Sequence, residues 1–424
     1  MPERPPDIPM PKLINTLRRF DLLPAIVFLP TRRRCDEAAS EVARDKSQRR
    51  DPDRHQRREA IFEEFITENP EVVHHKHAKV IVDAGVAAHH AGHIPAWKLL
   101  IERMMSAGLL NALFATSTVA AGVDFPARTV VISNADTRGN DGWRPLSASE
   151  LQQMTGRAGR RGRDNVGFVV LVPGQFQNPR KIAELLKAPP DRLQSQFRST
   201  YISLLNLLDA FGSFEQVRAI AERSYGAFRN PRSTIRDQDI WRPFEQKARV
   251  LAHFGYIDFD AETVTDAGKW LADLRIDRPL LVGEALKHGI FAGLSIPHMA
   301  GMMASVASDA DRSYGEMRTS RRMNEYLGEL EEVSFAVAKV ELRQGVEPVE
   351  ELNYSAAASA ERWAAGMSWD ELVDRTRAEE GDLVRLLSRT GEALRQLANL
   401  RTYDESVANL ARDTAEALLR EPVR

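Results

Sequence analysis

The sequence predicts an α/β lobe built on a parallel sheet, followed by a mostly α winged-helix domain and an α-helical bundle. Three observations carry that reading. Short, wholly apolar runs alternate with helical stretches through residues 1–176, the pattern of a sheet covered on both faces. Helices followed by a small strand pair occupy 177–275. From 276 to 424 helical periodicity is almost unbroken, as in a bundle.

In chain order, a proline-rich lead precedes a short helix from Lys12 to Phe20. Pro24 to Pro30 (P-A-I-V-F-L-P) reads as a buried strand. It ends in Thr31-Arg32-Arg33-Arg34 and passes into a helix from about Cys35 to Ala43. Hydroxyl and guanidinium groups at the carboxyl end of such a strand are placed to meet a ligand. Further strands are expected at Val86 to His89, Ala112 to Ala115, Thr129 to Ile132 and Gly167 to Val172, with a helix from Ala96 to Gly108. The arginine-rich stretch from Asp45 to Arg58 has acidic and polar neighbours, and a solvated helix-loop is expected.

Pro189-Pro190 marks a linker. Helices follow at Phe197 to Leu208, Phe214 to Ser224 and Phe244 to Phe254, then two short strands around a turn at Tyr256 to Thr265. The last segment should hold helices at Pro279–Lys287, Pro297–Ala307, Ser320–Gln344, Tyr354–Ala365, Trp369–Glu379, Asp382–Leu400 and Ser406–Leu419. Leu383, Leu386, Leu387, Leu394 and Leu397 form one apolar face, which is core. Arg385 and Arg389 stand four apart and could line a channel or a solvated face.

Composition excludes several classes. Net charge is −2, so nucleic-acid contacts must come from local clusters. The single cysteine, Cys35, rules out an internal disulfide and a cysteine-based zinc site. No apolar run approaches a membrane span, and the cytoplasm is the expected location. Histidines 74, 75, 77, 89, 90 and 93 invite a metal reading, but no carboxylate or thiol completes a ligand spacing, and no metal is expected in this chain. His89 should pack against the sheet, and His90 is a candidate phosphate donor.

The most informative stretch is Gln153 to Arg163 (Q-M-T-G-R-A-G-R-R-G-R). Ser147 and Glu150 form a capping box, so a helix should start near Ala148. Continued at about 100° per residue, that helix would aim Gln153, Arg157 and Arg160 in one direction. Guanidinium forks suit phosphate oxygens. Upstream, Ala115 to Pro126 (A-T-S-T-V-A-A-G-V-D-F-P) offers hydroxyls and a glycine to phosphate, and Asp124 to a sugar hydroxyl.

Four blocks, in order, resemble the second RecA-like lobe of the superkiller-type DExH RNA helicases of superfamily two. Residues 24–35 resemble motif IV, 86–92 (V-A-A-H-H-A-G) the block after it, 115–127 motif V and 153–163 motif VI. The bundle blocks Leu280–Leu294, Trp363–Leu372 and Glu380–Leu397 resemble the DSHCT bundle of the same family. The resemblance implies that Gln153, Arg157 and Arg160 face the γ-phosphate of ATP, the arginines as fingers. It implies Gly122 and Asp124 near the nucleotide. Thr116, His90, Thr31 and Arg32 would lie along the nucleic-acid backbone, with Arg385 and Arg389 at ratchet-helix positions. Two departures stand out: Pro30-Thr31 replaces an aromatic-serine pair, and Asp124 stands where Asn is usual.

A helicase also needs a phosphate loop and a magnesium-binding acidic box. No G-K-[ST] occurs, and Asp36-Glu37-Ala38-Ala39 follows an arginine run, not an apolar strand. The expectation is therefore the C-terminal half of an ATP-dependent, 3′-to-5′ RNA helicase, inactive alone. A first lobe in cis or trans would hold Mg2+, and single-stranded RNA, or DNA, would be the polynucleotide partner. The family's RNA-degradation members insert a long arch before the third helix of the winged domain. Only Arg229 to Trp241 is available here, so none is expected. The rival readings are a non-catalytic nucleic-acid-binding module and a related DNA-repair helicase.

Overall fold

In the computed structural model the described residues are 7–49, 51–117, 127–139, 142–193, 195, 198–225, 241–309, 312–348, 351–400 and 404–424. The chain divides into two compact units, Met1–Arg192 and Leu193–Arg424. The helix Pro179–Lys187, which the sequence reading did not place, belongs to the first.

Among its described residues, the first unit is organised on a parallel sheet. Its strands are β1 (Ala25–Phe28), β2 (Val86–His89), β3 (Ala112–Ala115), β4 (Thr129–Ile132) and β7 (Phe168–Leu171). The spatial order is β2-β3-β1-β4-β7. Every residue of the first four is buried, which is why they read as unbroken apolar runs. Helices Met10–Arg19 and Arg32–Arg44 close one side, with Leu13, Ile14, Leu17, Cys35, Ala38, Ala39 and Val42 in the core beside Val27, Ala88 and Phe114.

A short antiparallel hairpin, β5 (Asp136–Gly139) and β6 (Gly142–Pro145), stands between β4 and the helix Ala148–Thr155. The sequence reading missed it, because its residues alternate weakly and β6 is mostly exposed.

One expectation is corrected here. The arginine-rich stretch is not a solvated helix-loop throughout. It opens a helix, Pro52–Glu68, in which Arg58 is buried. Arg58 donates to the carbonyls of Val82 (2.6 Å), Asp83 (3.3 Å) and Leu109 (3.3 Å). Arg54 donates to Gly108 (2.7 Å). These guanidiniums are spent on the orphan carbonyls left where helices end.

The second unit begins with helices Tyr201–Phe211, Phe214–Glu222 and Arg242–His253, then the hairpin β8 (Ile257–Asp258) and β9 (Thr263–Val264). This is the element order of a winged helix. Stretch 226–240, where an arch would be inserted, lies outside the described residues. In the bundle, helix Ile296–Ala307 is the central rod, buried at every position from Met299 to Ala307. Helices Tyr354–Ala364, Glu380–Ala398 and Glu405–Leu418 pack on it. The predicted leucine face of Glu380–Ala398 is buried. Trp363 is anchored there too, its indole N–H donating to the Leu418 carbonyl at 2.9 Å.

Candidate nucleotide and nucleic-acid site

The site is laid out by strand register. Parallel pairing aligns His89 with Ala115, Ala115 with Phe28, Phe28 with Ile132, and Ile132 with Leu171. That row is the carboxyl edge of the sheet, where α/β proteins bind ligands. Directly beyond it are His90 after β2, Thr116 after β3 and Ser133 after β4, with Thr31 three residues past the end of β1. Chain order scatters these groups, and the register assembles them on one edge.

Thr31 is the N-cap of helix Arg32–Arg44, its hydroxyl accepting the Arg34 N–H at 3.2 Å. The hydroxyl proton is the part left for a ligand. Arg32 and Thr116 are half-buried on the same edge. Gly122 and Asp124 lie outside the described residues.

The capping box is present, with Ser147 Oγ accepting from Glu150 N at 3.3 Å and Ser147 N donating to the Glu150 carboxylate at 3.0 Å. Arg144 grips the same carboxylate at 2.5 and 2.8 Å and holds it below the usual range. The helix that follows ends at Thr155. This corrects the shared-face expectation: exposed Gln153 is on the helix, whereas Arg157 and Arg160 lie past its end.

What places the arginines is a backbone bridge. Ala127 N donates to the Arg157 carbonyl at 3.1 Å, and Gly159 N donates to the Ala127 carbonyl at 2.7 Å. The last residue of the motif V block is thereby pinned to the centre of motif VI. Gly159 adopts φ +92°, a left-handed conformation that a side chain would strain. Arg160 then makes a bidentate pair with Asp164, Nε–Oδ2 2.7 Å and Nη2–Oδ1 2.9 Å. The pair lowers the Asp164 carboxyl to about 2.

His90, read from the sequence as a candidate phosphate donor, turns its ring to an internal partner. It is fully buried and its Nε2 faces Asp36 Oδ1 at 3.1 Å. His77 Nε2 meets the same oxygen at 2.8 Å and His93 Nε2 lies 3.4 Å from it, while Lys76 reaches Oδ2 at 2.8 Å. Spacing alone found no carboxylate for this histidine group; the fold supplies Asp36 from another helix. Among the described residues Asp36, His90 and His93 are close enough to hold a metal.

The hydrogen bonds argue for another role. His90 Nδ1 accepts the Gly92 N–H (3.1 Å), so its ring proton sits on Nε2 and points at Asp36. His75 Nδ1 accepts the His77 N–H (3.2 Å), and its Nε2 then donates to His93 Nδ1 at 3.1 Å. His93 is left with its proton on Nε2, again toward Asp36. A metal needs those Nε2 lone pairs, with the outer nitrogens donating. The cluster is a set of N–H donors around one carboxylate. Burial alone would raise the Asp36 carboxyl, but the bonds from His77, His90, His93 and Lys76 outweigh it and hold it well below the usual range.

In the second unit the two candidate arginines are engaged by acids. Arg389 bonds Asp309 at 2.9 Å and also Asp277. Arg385, more exposed, makes one 3.3 Å contact with Asp382, which Arg312 also holds at 2.6 Å. Asp164 and Asp36 are the groups sequence reasoning missed. For Asp164 the four-residue offset from Arg160 was a usable signal; for Asp36 there was none.

Comparison with known proteins decides the family. Residues 12–162 match the helicase conserved C-terminal domain, and residues 261–424 match the DSHCT (NUC185) domain. These two domains, in this order, are those of the C-terminal half of a Ski2-like helicase of superfamily two. It is 33% identical to the DExH-box ATP-dependent RNA helicase DExH15, chloroplastic, of Arabidopsis thaliana over 57% of this chain and 22% of the relative. It is 34% identical to the antiviral helicase SKI2 of Saccharomyces cerevisiae over 57% of this chain and 18% of the relative. It is 36% identical to superkiller complex protein 2 of Homo sapiens over 51% of this chain and 17% of the relative. The matched stretch spans less than a quarter of each of these relatives. The Ski2-like elements present are thus the C-terminal helicase lobe and the DSHCT region.

Proposed function

We propose that this chain supplies the C-terminal lobe, winged helix and bundle of an ATP-dependent RNA helicase that translocates 3′ to 5′. The observation that carries the reading is the bridge joining Ala127 to Arg157 and Gly159, which ties the motif V and motif VI blocks together just before β4 and β7, at the amino edge of the sheet. Gln153, Arg157 and Arg160 face the γ-phosphate in this reading. Guanidiniums spread the charge that builds on a transferring phosphoryl group. Gly122 and Asp124 lie near the nucleotide.

The donor set fits phosphate: Arg160 keeps guanidinium N–H groups beyond those given to Asp164. Among the described residues it does not fit Mg2+, which takes carboxylate oxygens. Asp164 and Asp36 are both committed to internal partners. The magnesium ligands and the phosphate loop therefore belong to a first lobe, acting in cis or in trans. In the first unit the proposed contacts to single-stranded RNA are Thr31, Arg32, Thr116 and the His90 turn; within the second unit they are Arg385 and Arg389. RNA is preferred over DNA because relatives such as DExH15 carry RNA helicase in their names. The domain limits proposed are 1–176, 177–275 and 276–424. The cytoplasm is the proposed location; no helix among the described residues is long and apolar enough to cross a membrane.

The test is ATP hydrolysis with and without single-stranded RNA, by the chain alone and by the chain combined with a phosphate-loop lobe. Activity only in the combination, abolished by Arg157→Ala, supports the reading. Hydrolysis by the chain alone overturns the account of the missing lobe. RNA binding without hydrolysis in either form replaces the helicase reading with that of a binding module.

A further inference from the structure

We propose that Asp164 is a positioning residue that braces Arg160, so that the guanidinium meets the phosphoryl group already oriented. The proposal rests on the assignment of Arg160 to the γ-phosphate.

One carboxylate fixes this arginine at both ends. Asp164 Oδ2 accepts the Arg160 backbone N–H at 2.9 Å and the side-chain Nε–H at 2.7 Å, while Oδ1 accepts from Nη2 at 2.9 Å. The peptide and the tip of the side chain are therefore set by one group. Backbone bonds close the same turn: Arg163 N and Asp164 N donate to the Arg160 carbonyl at 3.0 and 2.9 Å. The turn is tied in its own right to Ala127 through Gly159 N.

A guanidinium carries five N–H groups. Asp164 takes the Nε hydrogen and one on Nη2, leaving both Nη1 hydrogens and the second on Nη2. One on Nη1 and the second on Nη2 form the end-on pair at the tip of the fork, which suits a phosphate oxygen pair. Exposure agrees with that division. The Asp164 side chain is 5% exposed and that of Arg160 is 21% exposed. The carboxylate is covered and the arginine stays reachable.

The arrangement is a brace, not a latch. Both partners sit in one five-residue turn, so movement of one lobe against another cannot separate them. A stowed arginine would need its acceptor on a different element. Orienting a long, flexible side chain before its ligand arrives removes an ordering cost that binding would otherwise carry.

The experiment uses the chain combined with a phosphate-loop lobe, and the chain alone for spectroscopy. Arg160→Ala should lower kcat by about 10³-fold, the scale of a lost arginine finger. Asp164→Asn should lower kcat about tenfold with KM for ATP within about twofold, because orientation and not binding is lost. Asp164→Glu, which keeps the charge, should recover to within about threefold of wild type. The double variant Asp164→Asn with Arg160→Ala should be no slower than Arg160→Ala alone, since the brace acts only through the arginine. In NMR of the chain alone, the Arg160 Nε–H should exchange slowly, and Asp164→Asn should speed it.

An unchanged or raised kcat in Asp164→Asn beside a crippled Arg160→Ala overturns the brace and leaves the phosphate assignment standing. A double variant slower than Arg160→Ala, or an Nε–H that exchanges freely in wild type, overturns it as well. Full turnover in Arg160→Ala removes the phosphate assignment, and the brace goes with it.

Discussion

Gly167 passes so close to Ala158 that a Cβ added to it would lie 2.4 Å from the Ala158 carbonyl carbon and oxygen. The contact is backbone on backbone, with no flexible side chain to give way. It sets β7 against the middle of motif VI, next to the bridge that holds Ala127. Gly167→Ala should therefore displace the turn bearing Arg157 and Arg160. The expected cost is about 1–3 kcal/mol in urea unfolding, the usual range for overpacking. ATP hydrolysis by the combined protein should fall further than stability alone explains. A variant as stable and as active as wild type would show that the close approach does not constrain the motif.

The fold was legible where burial is two-sided. β1 to β4 are buried throughout, so their apolar runs announced themselves, and the bundle helices fell within a few residues of their observed ends. The hairpin at Asp136–Gly139 and Gly142–Pro145 was hidden because an exposed ribbon carries no strong alternation. The site was legible as motifs and not as geometry. Extending the helix through Arg160 assumed that the periodicity persisted, but the Ala127 bridge takes the backbone out of the helix after Thr155. The His90 cluster was misread in a similar way. Its carboxylate, Asp36, comes from a helix distant in sequence, and spacing arguments reach only local ligands.

Arg58 provides a test of whether the arginine-rich segment is scaffold. Its guanidinium satisfies the carbonyls of Val82, Asp83 and Leu109 while buried. Arg58→Met keeps the length and removes the donors. Unsatisfied buried carbonyls make the expected loss about 2–3 kcal/mol, read from denaturant midpoints of the chain. RNA affinity at fixed salt should stay within about twofold of wild type. A stable variant with weakened RNA binding would return the segment to nucleic-acid recognition.

Acidification should destabilise the first unit before its carboxylates titrate. Burial lowers His93 to about 3 and His89 to about 4, whereas an unfolded chain takes up those protons near 6.5. Both groups have depressed folded values, so their contribution is whole above about pH 6.5. It is lost progressively as pH falls toward about 4, because the unfolded state binds more protons. Denaturant midpoints of the chain measured from pH 8 to 4 should be flat to about 6.5 and decline below it. His93→Gln should start lower and decline less steeply. A midpoint constant down to pH 5 would show that these rings are solvated.

Arg389 and Arg385 should differ in what they do for RNA. Arg389 is held by Asp309 at 2.9 Å and by Asp277, and an arriving phosphate must compete with both carboxylates. Arg385 has a single contact, 3.3 Å from Asp382, and Arg312 already satisfies that acid at 2.6 Å. Arg385→Ala should therefore weaken single-stranded RNA binding and reduce the slope of log affinity against log salt by about one charge. Arg389→Ala should change the slope little and lower thermal stability instead, since it removes the guanidinium that Asp309 and Asp277 share. Fluorescence anisotropy across a salt series separates the two. A larger salt effect for Arg389→Ala would mean that RNA opens its acid pairs, so that Arg389 and not Arg385 is the strand contact on helix Glu380–Ala398.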